Sequence, residues 1–321
     1  MEHGAIGIVR LSETVVAQRH AERQLGGIMK VWLLLITCLA LAASNVEAQN
    51  AEPAPVSGVR FDANFFASGS YGKYGVIVLT GSNGGKADDT ARLIANMGFD
   101  VLSLAYFDRA GSTLVPETLE MIPLEYFDAP KKWLMARNNT RDDGVIIYGL
   151  SKGAELALVL ASHDIDYKAV VALAPSHVVW QGNPKNFADI MSSPSSWSLK
   201  GEPLPFVPYV SNEEKERMGF TNRHAASLTN REAVERALIG VENINAPILL
   251  MSGGMDAMWP ASKMGAEICL TVNSSRHSAS CEHLIYEDGD HLLSNYQAES
   301  FAAVDRFLQS IHSTLPAEVN Q

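Results

Sequence analysis

Ser151 stands at the centre of Gly149-Leu150-Ser151-Lys152-Gly153, a G-x-S-x-G pentapeptide between the apolar run Gly144-Val-Ile-Ile-Tyr148 and the helix-forming run Ala154-Glu-Leu-Ala-Leu-Val-Leu-Ala161. A strand that turns into a helix around one serine needs small residues on both sides, and the turn lifts the hydroxyl clear of the sheet as a nucleophile. The plainer role for such a serine is helix N-cap, but capping asks for no flanking glycines. A serine hydroxyl attacks poorly at neutral pH and needs a hydrogen-bonded base, itself oriented by a third group. Candidates lie further along the chain: Asp256 in Ser252-Gly-Gly-Met-Asp256 and His291 in Glu287-Asp-Gly-Asp-His291, each after an apolar run. The order Ser, then Asp or Glu, then His is the one expected when the nucleophile sits on such a turn. Asp288 and Asp290 compete for the acid's place. His177, His224 and His283 compete for the base's, though none of them follows the last apolar run.

An oxyanion hole would combine the backbone N–H of Lys152 with one from an early loop. Gly81-Ser82-Asn83-Gly84-Gly85 follows the apolar run 74–80, so Ser82 or Asn83 supplies the second donor. A glycine-rich loop can also cradle phosphate, but the chain has neither G-x-x-x-x-G-K-[ST] nor G-x-G-x-x-G. The Lys152 side chain is expected to point to solvent or to pair with an acidic neighbour. Glu155, in the first turn of its helix, is expected to stabilise that turn through the macrodipole. Trp180, Trp197 and Trp259 are candidates for lining an apolar acyl pocket, with plain packing as the alternative.

These residues need a scaffold, and the apolar patterning supplies one. Strands are predicted over 74–80, 100–106, 144–148, 167–173, 246–251 and 283–286, and helices over 87–97, 154–161, 261–270 and 297–312. Residues 124–136 also have helical spacing, with Pro130 marking a kink or boundary. Short apolar runs alternating with helices imply an α/β fold: a mostly parallel central sheet with helices on both faces. Catalytic groups of such sheets gather on loops at the carboxyl edge, where Ser151, Asp256 and His291 all fall. The interval 177–239 breaks the rhythm, is rich in Pro, Ser, Asn and Trp, and shows helical character only over 230–238. An irregular insert of that length reads as a cap over the site.

The formal charge of −11, with no offsetting basic cluster, argues against nucleic acid or an anionic membrane as partner. Met29-Lys30, the apolar run 31–43 and the small-residue pattern Val46-x-Ala48 read as a signal peptide over 29–48, cleaved after Ala48 and leading to export. The apolar run is shorter than the ~20 residues of a membrane span; the alternative is an uncleaved anchor with a cytoplasmic tail. Residues 1–28 read as an extension upstream of a true start at Met29. Residues 49–73 then form an N-terminal segment ahead of a catalytic domain over 74–315. Leu35-Ile36-Thr37-Cys38 matches a lipoprotein box only weakly, because Thr precedes the cysteine. The mature chain keeps Cys269 and Cys281, which an oxidising compartment permits to form one disulfide, with two buried thiols as the alternative. No zinc site is expected from them.

The wording around the candidate residues is more specific than the residues themselves. Gly149-Leu-Ser-Lys-Gly-Ala-Glu-Leu-Ala-Leu158, Ala174-Pro-Ser-His-Val-Val-Trp180, Ser196-Trp-Ser-Leu-Lys-Gly-Glu-Pro-Leu-Pro205 and Asp256-Ala-Met-Trp-Pro260 resemble the catalytic domain of the acyl-CoA thioesterase and bile acid-CoA:amino acid N-acyltransferase family over about 75–311. The resemblance implies an α/β-hydrolase fold, with nucleophile, acid and base on Ser151, Asp256 and His291. It also implies an acyl-enzyme formed from a fatty or bile acyl thioester. Acyl-CoA enzymes of that family carry a β-sandwich domain ahead of the catalytic one, and the roughly 25 residues before the run at 74 are too few to build it. An exported enzyme would also meet little acyl-CoA, which leaves the acyl donor open. Family members that transfer acyl groups to amino acids resemble enzymes with Cys as nucleophile, whereas Ser fits release of the acyl group to water. The expectation is therefore an exported serine acyl hydrolase acting on a small-molecule thioester or oxyester with an apolar acyl group, with no metal or organic cofactor. An acyltransferase to an amine or alcohol, or a non-catalytic acyl- or lipid-binding protein, are the alternatives.

Overall fold

The computed structural model describes residues 51–275 and 279–313. The signal reading at 29–48 and the extension at 1–28 lie outside the described residues. The strands are β1 (Ala54–Pro55), β2 (Asp62–Phe66), β3 (Lys73–Leu79), β4 (Val101–Ala105), β5 (Ile122–Pro123), β6 (Thr140–Leu150), β7 (Tyr167–Leu173), β8 (Trp197–Leu199), β9 (Glu202–Pro203), β10 (Ile248–Gly253) and β11 (Cys281–Tyr286). Eight of them form one sheet in the order β1-β2-β4-β3-β6-β7-β10-β11. From β4 to β11 every pairing is parallel, whereas β1 and β2 join antiparallel at the edge.

Parallel strands covered on both faces must be apolar on both, and β3 shows this residue by residue. Ile77 and Leu79 enter one buried cluster, Val76 and Val78 the other. The first cluster is closed by α2 (Asp128–Met135), α3 (Lys152–His163) and α7 (Ala261–Ser274) through Leu134, Leu156 and Ile268. The second is closed by α1 (Asp88–Asn96) and α8 (Gln297–Ser313) through Ile94, Val304 and Leu308. Pro130 falls in the first turn of α2, after a 3-10 turn at Leu124–Phe127, so it marks the boundary that its missing N–H requires.

Two features add to the sequence reading. Within the N-terminal segment, β1 and β2 extend the main sheet beyond β4. A short antiparallel strand beside the edge such as Asp62-Ala-Asn-Phe-Phe66, in which only Ala63 and Phe66 are buried, needs no continuous apolar run, which hid it. The cap also holds more helix than 230–238: α4 (Asn212–Arg217), α5 (Arg223–Ser227) and α6 (Arg231–Ala237). Each starts at a side-chain cap, from Ser211, Asn222 and Asn230 respectively. β5, β8 and β9 make a small second sheet that ties the cap to the segment before α2. Cys269 of α7 and Cys281 of β11 are joined by a disulfide, with Cα atoms 5.0 Å apart. Among the described residues no helix is long and apolar enough to cross a membrane.

Candidate active site

Ser151 occupies the turn between β6 and α3 with φ 56° and ψ −116°. The glycines on either side are there for space. A Cβ on Gly149 would meet the Gly153 carbonyl, and one on Gly153 would meet that of Thr80. The serine hydroxyl lies 2.8 Å from Nε2 of His291, and Nδ1 of the same ring lies 2.7 Å from Oδ2 of Asp256. The second carboxylate oxygen, Oδ1, accepts from the backbone N–H groups of Met258 and Trp259 at 2.8 and 3.2 Å. Asp256 is thus locked in place, with its side chain 2% exposed. Since a carboxylate only accepts, Nδ1 carries the proton, and Nε2 is left to accept from Ser151.

The competing candidates have other duties. Asp290 accepts from the N–H groups of Leu292 and Ser294, and Asp288 pairs with the Tyr296 hydroxyl. His283 bonds to Ser252 Oγ at 2.7 Å under α7, and His224 donates through Nδ1 to the Met258 carbonyl at 2.8 Å. The ring nitrogen Nδ1 of His177 is buried without a partner among the described residues, and burial lowers its basicity.

Gly81 packs on the nucleophile so closely that a Cβ there would lie 3.2 Å from Ser151 Cβ. The loop it opens holds Ser82 and Asn83, and both border a chamber that contains Ser151. Ala154 and Glu155 of α3 donate to the Ser151 carbonyl, while the first amide of the helix, that of Lys152, has no intrahelical acceptor.

Lys152 does not reach solvent. It is 3% exposed and its Nζ donates to both oxygens of Glu155, at 2.8 and 2.6 Å. Glu155 is fully buried and does more than stabilise a helix turn. It also accepts from the Trp180 backbone N–H at 3.0 Å and from Trp197 Nε1 at 2.7 Å. Burial pushes Lys152 down and Glu155 up in pKa, and their contact pulls both back. The sequence carried one signal of this pair, the i, i+3 spacing.

Two chambers meet at Ser151 and His291. The outer, about 370 Å³, is bordered by Asn83, Leu150, Met255 and Leu292; the inner, about 180 Å³, by Lys152, Tyr209, Arg223, His224 and Trp259. Trp259 reaches the inner chamber and stands edge-on to the His291 ring at 5.8 Å. Trp180 and Trp197 do not line either chamber: both are fully buried, Trp180 stacked behind Trp259 and Tyr209, Trp197 spent on Glu155. Arg223 and Tyr209, which the sequence did not single out, come from the cap. Among the described residues no cluster of His, Cys, Asp and Glu is arranged to hold a metal ion.

A mostly parallel sheet with a serine on the strand-to-helix turn, and a histidine and aspartate on later loops, is the fold of the α/β-hydrolases. Solved structures share it: the Penicillium α/β-hydrolase GrgF superposes with a TM-score of 0.54 at 14% identity, covering 82% of this chain and 98% of that one. The Pyrococcus furiosus esterase does so with a TM-score of 0.52 at 15% identity, covering 81% and 92%. Residues 122–309 match the family described as BAAT / Acyl-CoA thioester hydrolase C terminal, and the chain belongs to that family. Acyl-coenzyme A thioesterase 1 of Homo sapiens is 28% identical over 218 residues, 67% of this chain and 48% of that protein. Mitochondrial acyl-coenzyme A thioesterase 2 of Homo sapiens is 29% identical over 197 residues, 61% and 38%. The chain thus spans about half or less of the length of these relatives.

Proposed function

We propose that this chain hydrolyses an acyl thioester or carboxylic ester through an acyl-enzyme on Ser151. The observation that carries this reading is the unbroken hydrogen-bonded chain Ser151–His291–Asp256 where the two chambers meet. The family and the names of its acyl-coenzyme A thioesterases support an acyl substrate. Ser151 Oγ attacks the acyl carbon while its proton passes to His291 Nε2. The tetrahedral oxyanion is held by the N–H of Lys152 and by that of Ser82 or Asn83. Collapse breaks the C–S or C–O bond, and His291 returns the proton to the departing thiol or alcohol. Water then attacks the acyl-enzyme and gives its proton to His291, and a second collapse frees the acid and restores Ser151.

The test is an assay of acyl-CoA and matched oxyester series, with Ser151→Ala as blank and fluorophosphonate labelling as the count of active serines. The reading fails if a folded wild-type chain does not label. With glycine or taurine in excess, amide formed faster than free acid would reassign the chain as an acyltransferase.

A further inference from the structure

We infer that the acyl half of the substrate carries a second carboxylate, seated in the inner chamber against Arg223. The inference rests on the proposed hydrolysis at Ser151. Of the charged side chains on this chamber, Lys152 is matched by Glu155, and His291 faces Asp256. Arg223 has no carboxylate at ion-pair distance among the described residues. Its Nη2 donates to Asn212 Oδ1 at 2.6 Å and its guanidinium lies 5.7 Å from the Phe187 ring centroid. Most of its five donors are unused.

A half-buried cation without a counter-ion is costly, and an entering anion offsets that cost. Arg109 and Arg137 also lack an ion pair among the described residues, but neither borders the two chambers at the nucleophile, whereas Arg223 does. The guanidinium fork suits a carboxylate in two parallel hydrogen bonds. The side-chain amide of Asn183 borders the same chamber and makes no hydrogen bond among the described residues, so it offers a neutral donor as well. His224, on the same chamber, is lowered from 6.5 to about 4, chiefly by burial and against the hydrogen bond to the Met258 carbonyl, so it brings no charge of its own near neutral pH.

Size and depth set the orientation. The outer chamber, about 370 Å³, opens at Met255 and Leu292, 69% and 51% exposed; the smaller inner one opens at Phe187 and Met258, 64% and 56% exposed, but ends on Lys152 and Trp259, 3% and 2% exposed. The alcohol or thiol, which departs first, fits the outer chamber, and the acyl chain fits the inner. A chamber of about 180 Å³ suits a short acyl chain.

The test compares p-nitrophenyl hydrogen glutarate with p-nitrophenyl pentanoate, which share chain length and leaving group and differ in a terminal carboxylate. With Ser151→Ala subtracted, wild type is expected to favour the glutarate ester in kcat/KM by about tenfold or more. Arg223→Ala should bring that ratio to about one, with Arg223→Lys between. A wild-type ratio at or below one, or a ratio unchanged in Arg223→Ala, overturns the inference while fluorophosphonate labelling still supports the hydrolase. Absence of labelling sinks both. A second arm compares pentanoyl-CoA with pentanoyl-pantetheine. If Arg223→Ala selectively weakens the CoA ester, Arg223 serves phosphate in the leaving half and the acyl assignment falls. Should Arg223→Ala not fold, free glutarate must slow labelling of the wild type at concentrations where pentanoate does not, and equal protection by both overturns the inference.

Discussion

Ser151 holds a backbone conformation, φ 56° and ψ −116°, that a non-glycine residue adopts only when its surroundings impose it. Here the imposition comes from Gly149 and Gly153, whose missing side chains let β6 and α3 meet around the serine. The hydroxyl then has one partner, His291, and that ring has one orienting acid. Ser151→Ala should lower turnover by roughly 10⁴-fold or more, and Asp256→Asn by roughly 10³- to 10⁴-fold, because an amide in place of the carboxylate favours the wrong imidazole tautomer. Initial rates on any cleaved ester, set beside unchanged far-ultraviolet circular dichroism, check both. His224 provides a separate, pH-dependent test of the inner chamber. Its folded pKa, about 4, lies below the ordinary 6.5, chiefly through burial. Between those values the unfolded chain binds the proton and the folded chain does not, so stability is complete above pH 6.5 and falls as the pH drops towards 4. Its share of the slope is expected to be about 0.5–1 kcal/mol per pH unit, discounted for partial exposure. Urea midpoints across this range should fall less steeply in His224→Asn. Part of the slope should remain, since His312 is lowered to about 4 as well, mainly by burial.

The elements divide by how their burial is written. β3, β6, β7 and β10 are legible because both their faces are covered and the chain must be apolar at consecutive positions. Ser151, Asp256 and His291 are legible for a related reason: each sits on a loop just past one of these strands or β11, where α/β sheets collect reactive groups. β2 is hidden because only two of its five residues, Ala63 and Phe66, are buried, and α4 and α5 by being too short to show an apolar period. Arg223 and Tyr209 stay hidden with them, because the cap's path over the site follows from contacts distant in sequence. Glu155 illustrates the limit. Its spacing from Lys152 was plain, but its complete burial depends on Trp180 and Trp197, which reach it across 25 and 42 positions. That contact makes Glu155 the clamp between α3 and the cap. Glu155→Ala strands the Lys152 ammonium in a closed interior and should cost about 3–5 kcal/mol, as for any broken buried pair. Replacing both charges, Lys152→Met with Glu155→Leu, should cost less than the single change, because nothing charged is left unmatched. Denaturant titration of the two variants checks the order; a single variant more stable than the double would reject the clamp.

At the scale of the whole molecule, the disulfide and the N-terminal sequence point to the same setting, and each can be tested apart from the other. The Cys269–Cys281 bond closes a short loop, at a separation of 12 residues, between α7 and the edge strand β11. Edge strands have a neighbour on one side only, so β11 leans on β10 and on α7 for its place. Tying α7 to the start of β11 restricts the unfolded chain, and a loop of this size corresponds to about 3 kcal/mol in the chain-entropy account. A bond of that kind persists where thiols are oxidised and is uncommon in reducing compartments. We therefore propose that the chain is exported and that its mature form begins at Gln49, after Ala48. Protein recovered from the exporting compartment of its host should give Gln49 as N-terminal residue and show no free thiol under denaturing conditions. Cys269→Ser with Cys281→Ser should lower stability by about 2–3 kcal/mol, read from the urea midpoint, while oxidised wild type and wild type kept in dithiothreitol differ by a similar amount. If the bulk of the active protein remains inside the cell with both thiols free, export is rejected, and the acyl-CoA of the cytoplasm becomes the natural donor for Ser151.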